Sequence, residues 1–154
     1  MNCPTVKHSG ILDVEFGENV TIVQPVNLYG CRIGDNSFIG PFVEIQRGAI
    51  IGRNCKIQSH SFVCELVTIG DGSFISHGTM FINDLFSSGS PAEGDRNLYK
   101  TTVMGTNVSI GTNATILPVT IVDGVVVGAG SVVTHDLSER GVYAGNPASL
   151  LRTL

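Results

Sequence analysis

Charge is what this 154-residue sequence has least of: Lys, Arg, Asp and Glu make up 14% of it, against the quarter usual in soluble domains. The charges sum to −4 and no basic cluster occurs, so no face is offered to a phosphate backbone, which argues against nucleic acid as a partner. Long apolar runs are missing too. None approaches the roughly eighteen residues needed to span a bilayer, and the opening MNCPTVKHSG has no apolar h-region. The expectation is a soluble, cytoplasmic protein without membrane insertion. CxxC spacing is also absent. Cys3, Cys31, Cys55 and Cys64 lie far apart, which points away from a zinc knuckle or a small disulfide scaffold and toward buried, reduced thiols.

Glycine, in contrast, is plentiful, at 19 residues. It follows a pattern. From Ile33 an aliphatic residue returns at every sixth position: Ile39, Ile45, Ile51, Ile57, Val63, Ile69 and Ile75, with Phe81 closing the column. Gly34, Gly40, Gly52 and Gly70 follow members of the column, and the fifth slots hold small or β-branched residues such as Ser37, Val43, Ala49, Cys55 and Ser61. A period of six with a recurrent Gly demands a corner at the same place in every cycle. This is the hexapeptide signature of a parallel β-helix, in which three hexads form a triangular coil and the inward residues stack about 4.8 Å apart.

Taken in order, residues 1–15 lack the period and read as a leading strand or cap. Coils are expected over about 16–83 and 104–134, the second run carrying Met104, Ile110, Ile116, Ile121, Val127 and Val133. The steps from Leu28 to Ile33 and from Ile116 to Ile121 are each one residue short, which tightens a corner without losing the stack. Between the runs, residues 84–101 are rich in Ser, Gly, Pro and charge and read as a projecting loop, of the kind that is more often functional than accidental. An apolar coil end must be closed. Asn146 as a cap and Pro147 at the first helical position predict a short helix in the tail, 135–154. The fold expected is all-β, one domain over 1–154, with a C-terminal helical cap.

The hexads, the late loop, VGAGSVVT at 127–134 and AGNPA at 144–148 resemble the hexapeptide-repeat acyltransferases over nearly the whole chain. That resemblance implies a left-handed β-helix, a homotrimer, and acetyl-CoA lying between two subunits. GPFVEIQ (40–46), CKIQSHSFVCE (55–65) and SHGTMFIND (76–84) resemble, more narrowly, the N-acetyltransferases that modify the 3-amino group of UDP- or dTDP-linked amino sugars for surface-polysaccharide synthesis. The sequence departs from that family in lacking a Gly within 116–121 and in having Ser149 where Lys is customary, which leaves Arg152 as the nearby cation. Acceptors carrying a hydroxyl, and a non-catalytic β-helix scaffold, are the alternatives.

Amide formation from a thioester needs a neutral amine, a place for its proton, and support for the developing oxyanion. His77 is the first base expected, since imidazole changes charge near neutral pH; its other reading is a residue that holds a corner by hydrogen bonds. Asn83 can orient the amine or bond the thioester, and Asp84 can pair with the ammonium, although Asn-Asp is also a good turn pair. For coenzyme A the expected contacts are Gly111, Gly128 and Ala129, with Asn146 and Arg152 toward the nucleotide. For the acceptor they are Gln46, Arg47, Glu65 and Lys100. His60 precedes His77 by nearly one coil, but the two occupy different hexad slots and no closely spaced third His follows, so no metal is expected.

Overall fold

A computed structural model describes residues 3–154. The chain winds into a left-handed parallel β-helix of about seven turns, with three sheets as the sides of a prism. The first face stacks Ile11–Leu12, Asn27–Tyr29, Glu44–Ile45, Phe62–Val63, Met80–Phe81, Thr115–Ile116 and Val132–Val133. The second stacks Glu15–Phe16, Arg32–Ile33, Ile50–Ile51, Val67–Ile69, Thr102–Met104 and Thr120–Ile121. The third runs from Thr21–Ile22 through Phe38–Ile39, Lys56–Ile57, Phe74–Ile75 and Ser109–Ile110 to Val126–Val127, and ends in Gly141–Gly145 and Ala148–Thr153.

The column of the hexads is the core. Ile39, Ile57, Ile75 and Ile110 stand in register on the third face and are all essentially solvent-free. Burying such a side chain stabilises by about 1.5–3 kcal/mol, so the ladders, more than the two-residue strands, hold the prism. The small slots serve the corners. Ser37 Oγ donates to the Gly52 carbonyl at 2.9 Å and accepts from Cys55 N at 3.0 Å, linking consecutive coils inside the core. Gly34 shows why glycine recurs, since a Cβ there would stand 2.7 Å from the Gly52 carbonyl carbon.

Cys31, Cys55 and Cys64 are buried and free, as expected of reduced thiols, and Cys3 is exposed. Burial pushes the Cys31 thiol up to about 11 and the Cys64 thiol up to about 12. Residues Ile11–Leu12 already pair beneath Leu28–Tyr29, so the leading segment contributes the first rung.

The tail departs from expectation. No helix occurs among the described residues, so none is long and apolar enough to cross a membrane. Val142 and Tyr143 add the next rung beside Val126 and Val127, and Ala148–Thr153 folds back antiparallel on Gly141–Gly145. Asn146-Pro147, a cis peptide, sits at the hairpin tip after Gly145, whose φ is +106°. The sheet edge left open at Val126–Val127 supplies backbone partners that an isolated helix cannot match. Buried Gly141 and Tyr143 alternate with the half-buried Val142 and Ala144, the period of a strand. The hairpin, with Leu137 bridged to Ile121, closes the end of the stack.

Candidate functional site

The prism has three edges, and the chemistry-bearing residues occupy two of them. Asn83, Asp84, Gln46, Arg47, Glu65 and Lys100 share the edge between the first and second faces. His77, Gly111, Gly128 and Ala129 share the edge between the third and first faces, and the Asn146 hairpin tip lies on the same side, where Gly145 N donates to Ser131 Oγ at 3.2 Å. Arg152 stands apart, on the outermost strand opposite Val142.

Length irregularities of the coil gather at the first edge, among them the short corners after Ile11, at Gly30, at Leu117–Pro118 and after Val133, and the long loop. Lys100 N donates to the Asn83 carbonyl at 2.9 Å and closes the base of the loop. Asn83 Nδ2 donates to the Glu65 carbonyl one coil below, at 3.2 Å. Both carboxylate oxygens of Asp84 accept loop amides, Oδ1 from Phe86 N at 2.9 Å and Oδ2 from Ala92 N at 2.8 Å, so the side chain shapes the loop. Ala92 tucks in, whereas Leu85 and Phe86 stay exposed. Arg96 returns from the loop to Glu65, its Nη2 lying 2.8 Å from Oε2 as an ion pair.

Beside this edge the first face carries a polar network that the hexad pattern does not announce. Glu44 accepts from Asn27 Nδ2 at 3.1 Å, from Tyr29 Oη at 3.2 Å and from Gln46 Nε2 at 3.0 Å. Burial first, and then the Glu44 carboxylate, raise the Tyr29 hydroxyl above the usual phenol range. The signal in the sequence was the spacing of Asn27 and Glu44, one coil apart and paired in register. Hollows of about 280 and 460 Å³ open around these coils, lined in part by Pro25, Phe42 and Glu44 and by Lys7, Asn27 and Tyr29. Neither touches His77 or Asn83.

At the opposite edge of the first face His77 is exposed, and Ser59 Oγ lies 2.9 Å from its Nδ1. The register sets Ser59 directly under His77 and Thr112 directly above it, with His60 beside Gly78. His60 therefore does not meet His77. It stacks on Phe42 instead, with ring centroids 4.8 Å apart. Ser59 was missed in the sequence, although it stands eighteen residues before His77 and so in the same hexad slot. Gly111 approaches the next coil closely, since a Cβ on it would run into Ala129 N.

His77 and Asn83 flank the first face from opposite sides. The chain between them can reach about 20 Å when extended, and Met80–Phe81 lies in it as strand. One chain thus holds two separate clusters: an imidazole-bearing edge with close backbone corners, and a loop edge rich in hydrogen-bonding groups.

Comparison with known proteins bears on both halves. Residues 30–65 match the family "Bacterial transferase hexapeptide (six repeats)" and residues 102–135 match "Hexapeptide repeat of succinyl-transferase". The bifunctional protein GlmU of Clostridium beijerinckii is 33% identical over 148 residues, covering 90% of this chain and 32% of that protein. The chain spans about a third of the length of the curated relatives it matches. Among solved structures, a variant of AntD, an N-acyltransferase from Bacillus cereus in complex with dTDP and coenzyme A, superposes with a TM-score of 0.78 at 26% identity, covering 93% of this chain and 85% of AntD. A galactoside acetyltransferase in complex with coenzyme A superposes with a TM-score of 0.67 at 30% identity, covering 80% and 64%. Repeats, coil and neighbours agree: the chain carries hexapeptide repeats over 30–65 and 102–135, and its structural neighbours are hexapeptide-repeat acyltransferases.

Proposed function

We propose that this protein is a cytoplasmic, acetyl-CoA-dependent N-acetyltransferase, acting on the amine of a nucleotide-linked amino sugar destined for surface polysaccharide. The observation that carries the reading is the likeness to AntD, an N-acyltransferase that holds dTDP and coenzyme A, over 93% of this chain. It favours dTDP over UDP as the nucleotide and an amine over a hydroxyl as the acceptor.

The working unit in this reading is a homotrimer. Because His77 and Asn83 lie on opposite edges of one face, a site that uses both is built by setting the His77 edge of one subunit against the Asn83 edge of the next. Coenzyme A then lies along Gly111, Gly128 and Ala129, with Asn146 toward its nucleotide. Arg152 needs a reach from the outer strand. The acceptor is taken by Gln46, Arg47, Glu65 and Lys100, joined by the Glu44 network.

In the reaction the amine nitrogen attacks the thioester carbonyl, the C–S bond breaks, and the thiolate leaves with a proton. His77 Nε2 takes the proton that the amine loses. Asn83 orients the amine or donates to the carbonyl oxygen as negative charge grows there. Asp84 contributes through the loop it fastens.

The test is thiol release from acetyl-CoA with dTDP- and UDP-linked 3-amino and 4-amino sugars, free amino sugars and galactosides. Release with a dTDP-linked amino sugar supports the reading. Replacing Asn83 by Ala should lower turnover roughly tenfold or more with assembly intact; full activity in that variant refutes the site. A hydroxyl acceptor is the second reading, favoured by the galactoside acetyltransferase likeness. It requires a strong base, so His77→Asn would then abolish turnover where an amine acceptor would only slow.

A further inference from the structure

The His77 edge, between the third and first faces of the prism, repeats one corner in each coil. Its first column runs Pro41, Ser59, His77, Thr112 and Ala129, and its second Phe42, His60, Gly78, Asn113 and Gly130. Backbone bonds lock neighbouring corners together: Gly78 N donates to the Ser59 carbonyl at 3.0 Å and Asn113 N to the His77 carbonyl at 2.9 Å. The spacing between Ser59 and His77 is therefore fixed by main chain, not by the side chains that meet across it.

Above His77 the Thr112 hydroxyl is already engaged, its Oγ1 lying 2.8 Å from Ser76 Oγ. Below, the Ser59 hydroxyl reaches Nδ1 at 2.9 Å. A serine hydroxyl both donates and accepts, and a neutral imidazole has one nitrogen of each kind. Two arrangements fit the distance, but they fare differently once the ring gains a proton. Imidazolium carries N–H on both nitrogens, so a hydroxyl hydrogen directed at Nδ1 would then oppose another hydrogen. With Ser59 Oγ as acceptor of Nδ1–H, the same bond persists whether Nε2 is bare or protonated.

We infer that Ser59 is a positioning residue, which accepts the Nδ1–H of His77 and so presents the Nε2 lone pair outward as the site of proton uptake. The inference rests on the reading of His77 as the base. It adds the group that selects the tautomer, without which the less common Nδ1–H form has no local support.

The experiment is long-range ¹H–¹⁵N correlation on histidine-labelled protein at about pH 8, where imidazole is neutral, with the His77 signals assigned by their loss in His77→Asn. The Nδ1–H pattern is expected for His77 in the native protein and in Ser59→Thr, and the Nε2–H pattern in Ser59→Ala. An Nε2–H pattern in the native protein, or an unaltered pattern in Ser59→Ala, overturns the inference. In the acetyl-transfer assay Ser59→Ala should lose about tenfold in kcat with the KM for acetyl-CoA unchanged, and Ser59→Thr should recover most of it. A full kcat in Ser59→Ala while His77→Asn is impaired also overturns it. If His77→Asn is itself fully active, the base assignment fails, and with it the catalytic part of this inference, while the tautomer measurement still reports on Ser59.

Discussion

Asp84 tests most directly whether the loop is a built structure or a loose insertion. Its two carboxylate oxygens each hold a loop amide, Phe86 N at 2.9 Å and Ala92 N at 2.8 Å. Hydrogen bonds to a charged group are worth about 1.5–3 kcal/mol, and the partial exposure of Asp84 discounts each to roughly 1 kcal/mol. Asp84→Ala removes both, about 2 kcal/mol, which raises the opening equilibrium of the loop about 30-fold. Asp84→Asn keeps one accepting oxygen and loses one bond, about fivefold by the same arithmetic. Native-state hydrogen exchange at the amides of Phe86 and Ala92 reads these factors. Gln58 N, which donates to the Ile75 carbonyl at 2.8 Å deep in the coil, is the internal control and should not change. Wild-type exchange at Phe86 and Ala92 in Asp84→Ala would refute the reasoning, as would equal acceleration at Gln58, since the loop and coil would then open as one unit.

Two further outcomes test the core. Ile57→Ala empties a rung held between Ile39 and Ile75, all essentially solvent-free, and should lower unfolding free energy by about 2–5 kcal/mol in urea titration; a loss under about 1 kcal/mol would mean that the ladder collapses to fill the gap. Burial raises Cys31 to about 11 and Cys64 to about 12 from an ordinary 9.0, so below pH 9 the thiols are protonated in folded and unfolded chains alike. Above it the unfolded thiols ionise first and stability falls, the loss being complete as pH passes the folded values. The urea midpoint should drop between pH 9 and pH 11 and drop less in a Cys31→Ala, Cys64→Ala variant, whereas identical slopes would remove the thiols as the cause.

The coil was legible because each hexad states its own geometry: one inward aliphatic residue, one small slot, one corner. Ile33 to Phe81 and Met104 to Val133 all point inward as read, and even the one-residue shortfalls after Leu28 and Ile116 fell where they were expected. The tail was not legible. Asn146-Pro147 is locally a good helix start, and only the unpaired edge at Val126–Val127, visible in three dimensions, makes Gly141–Gly145 a rung instead. The site was half legible. The pattern gave residue identities, but which residues meet depends on register between coils. His60 and His77 were read correctly as occupying different hexad slots, but the residue in the slot beneath His77, Ser59 at eighteen residues, went unnoticed, and so did the stacking of His60 on Phe42. Asp84 stood out as an acid near a reacting amine, and the structure gives both its oxygens to the loop backbone.

The bond from Lys100 N to the Asn83 carbonyl has a consequence beyond the loop it closes. Asn83 stands in register with Glu65 and Thr102 with Val67, so the winding resumes as though residues 84–100 had never been inserted. The loop is in effect a detachable cassette, mounted on an edge whose length the prism does not regulate. Selection can rewrite its chemistry, or trade it for another, while every rung above and below keeps its place.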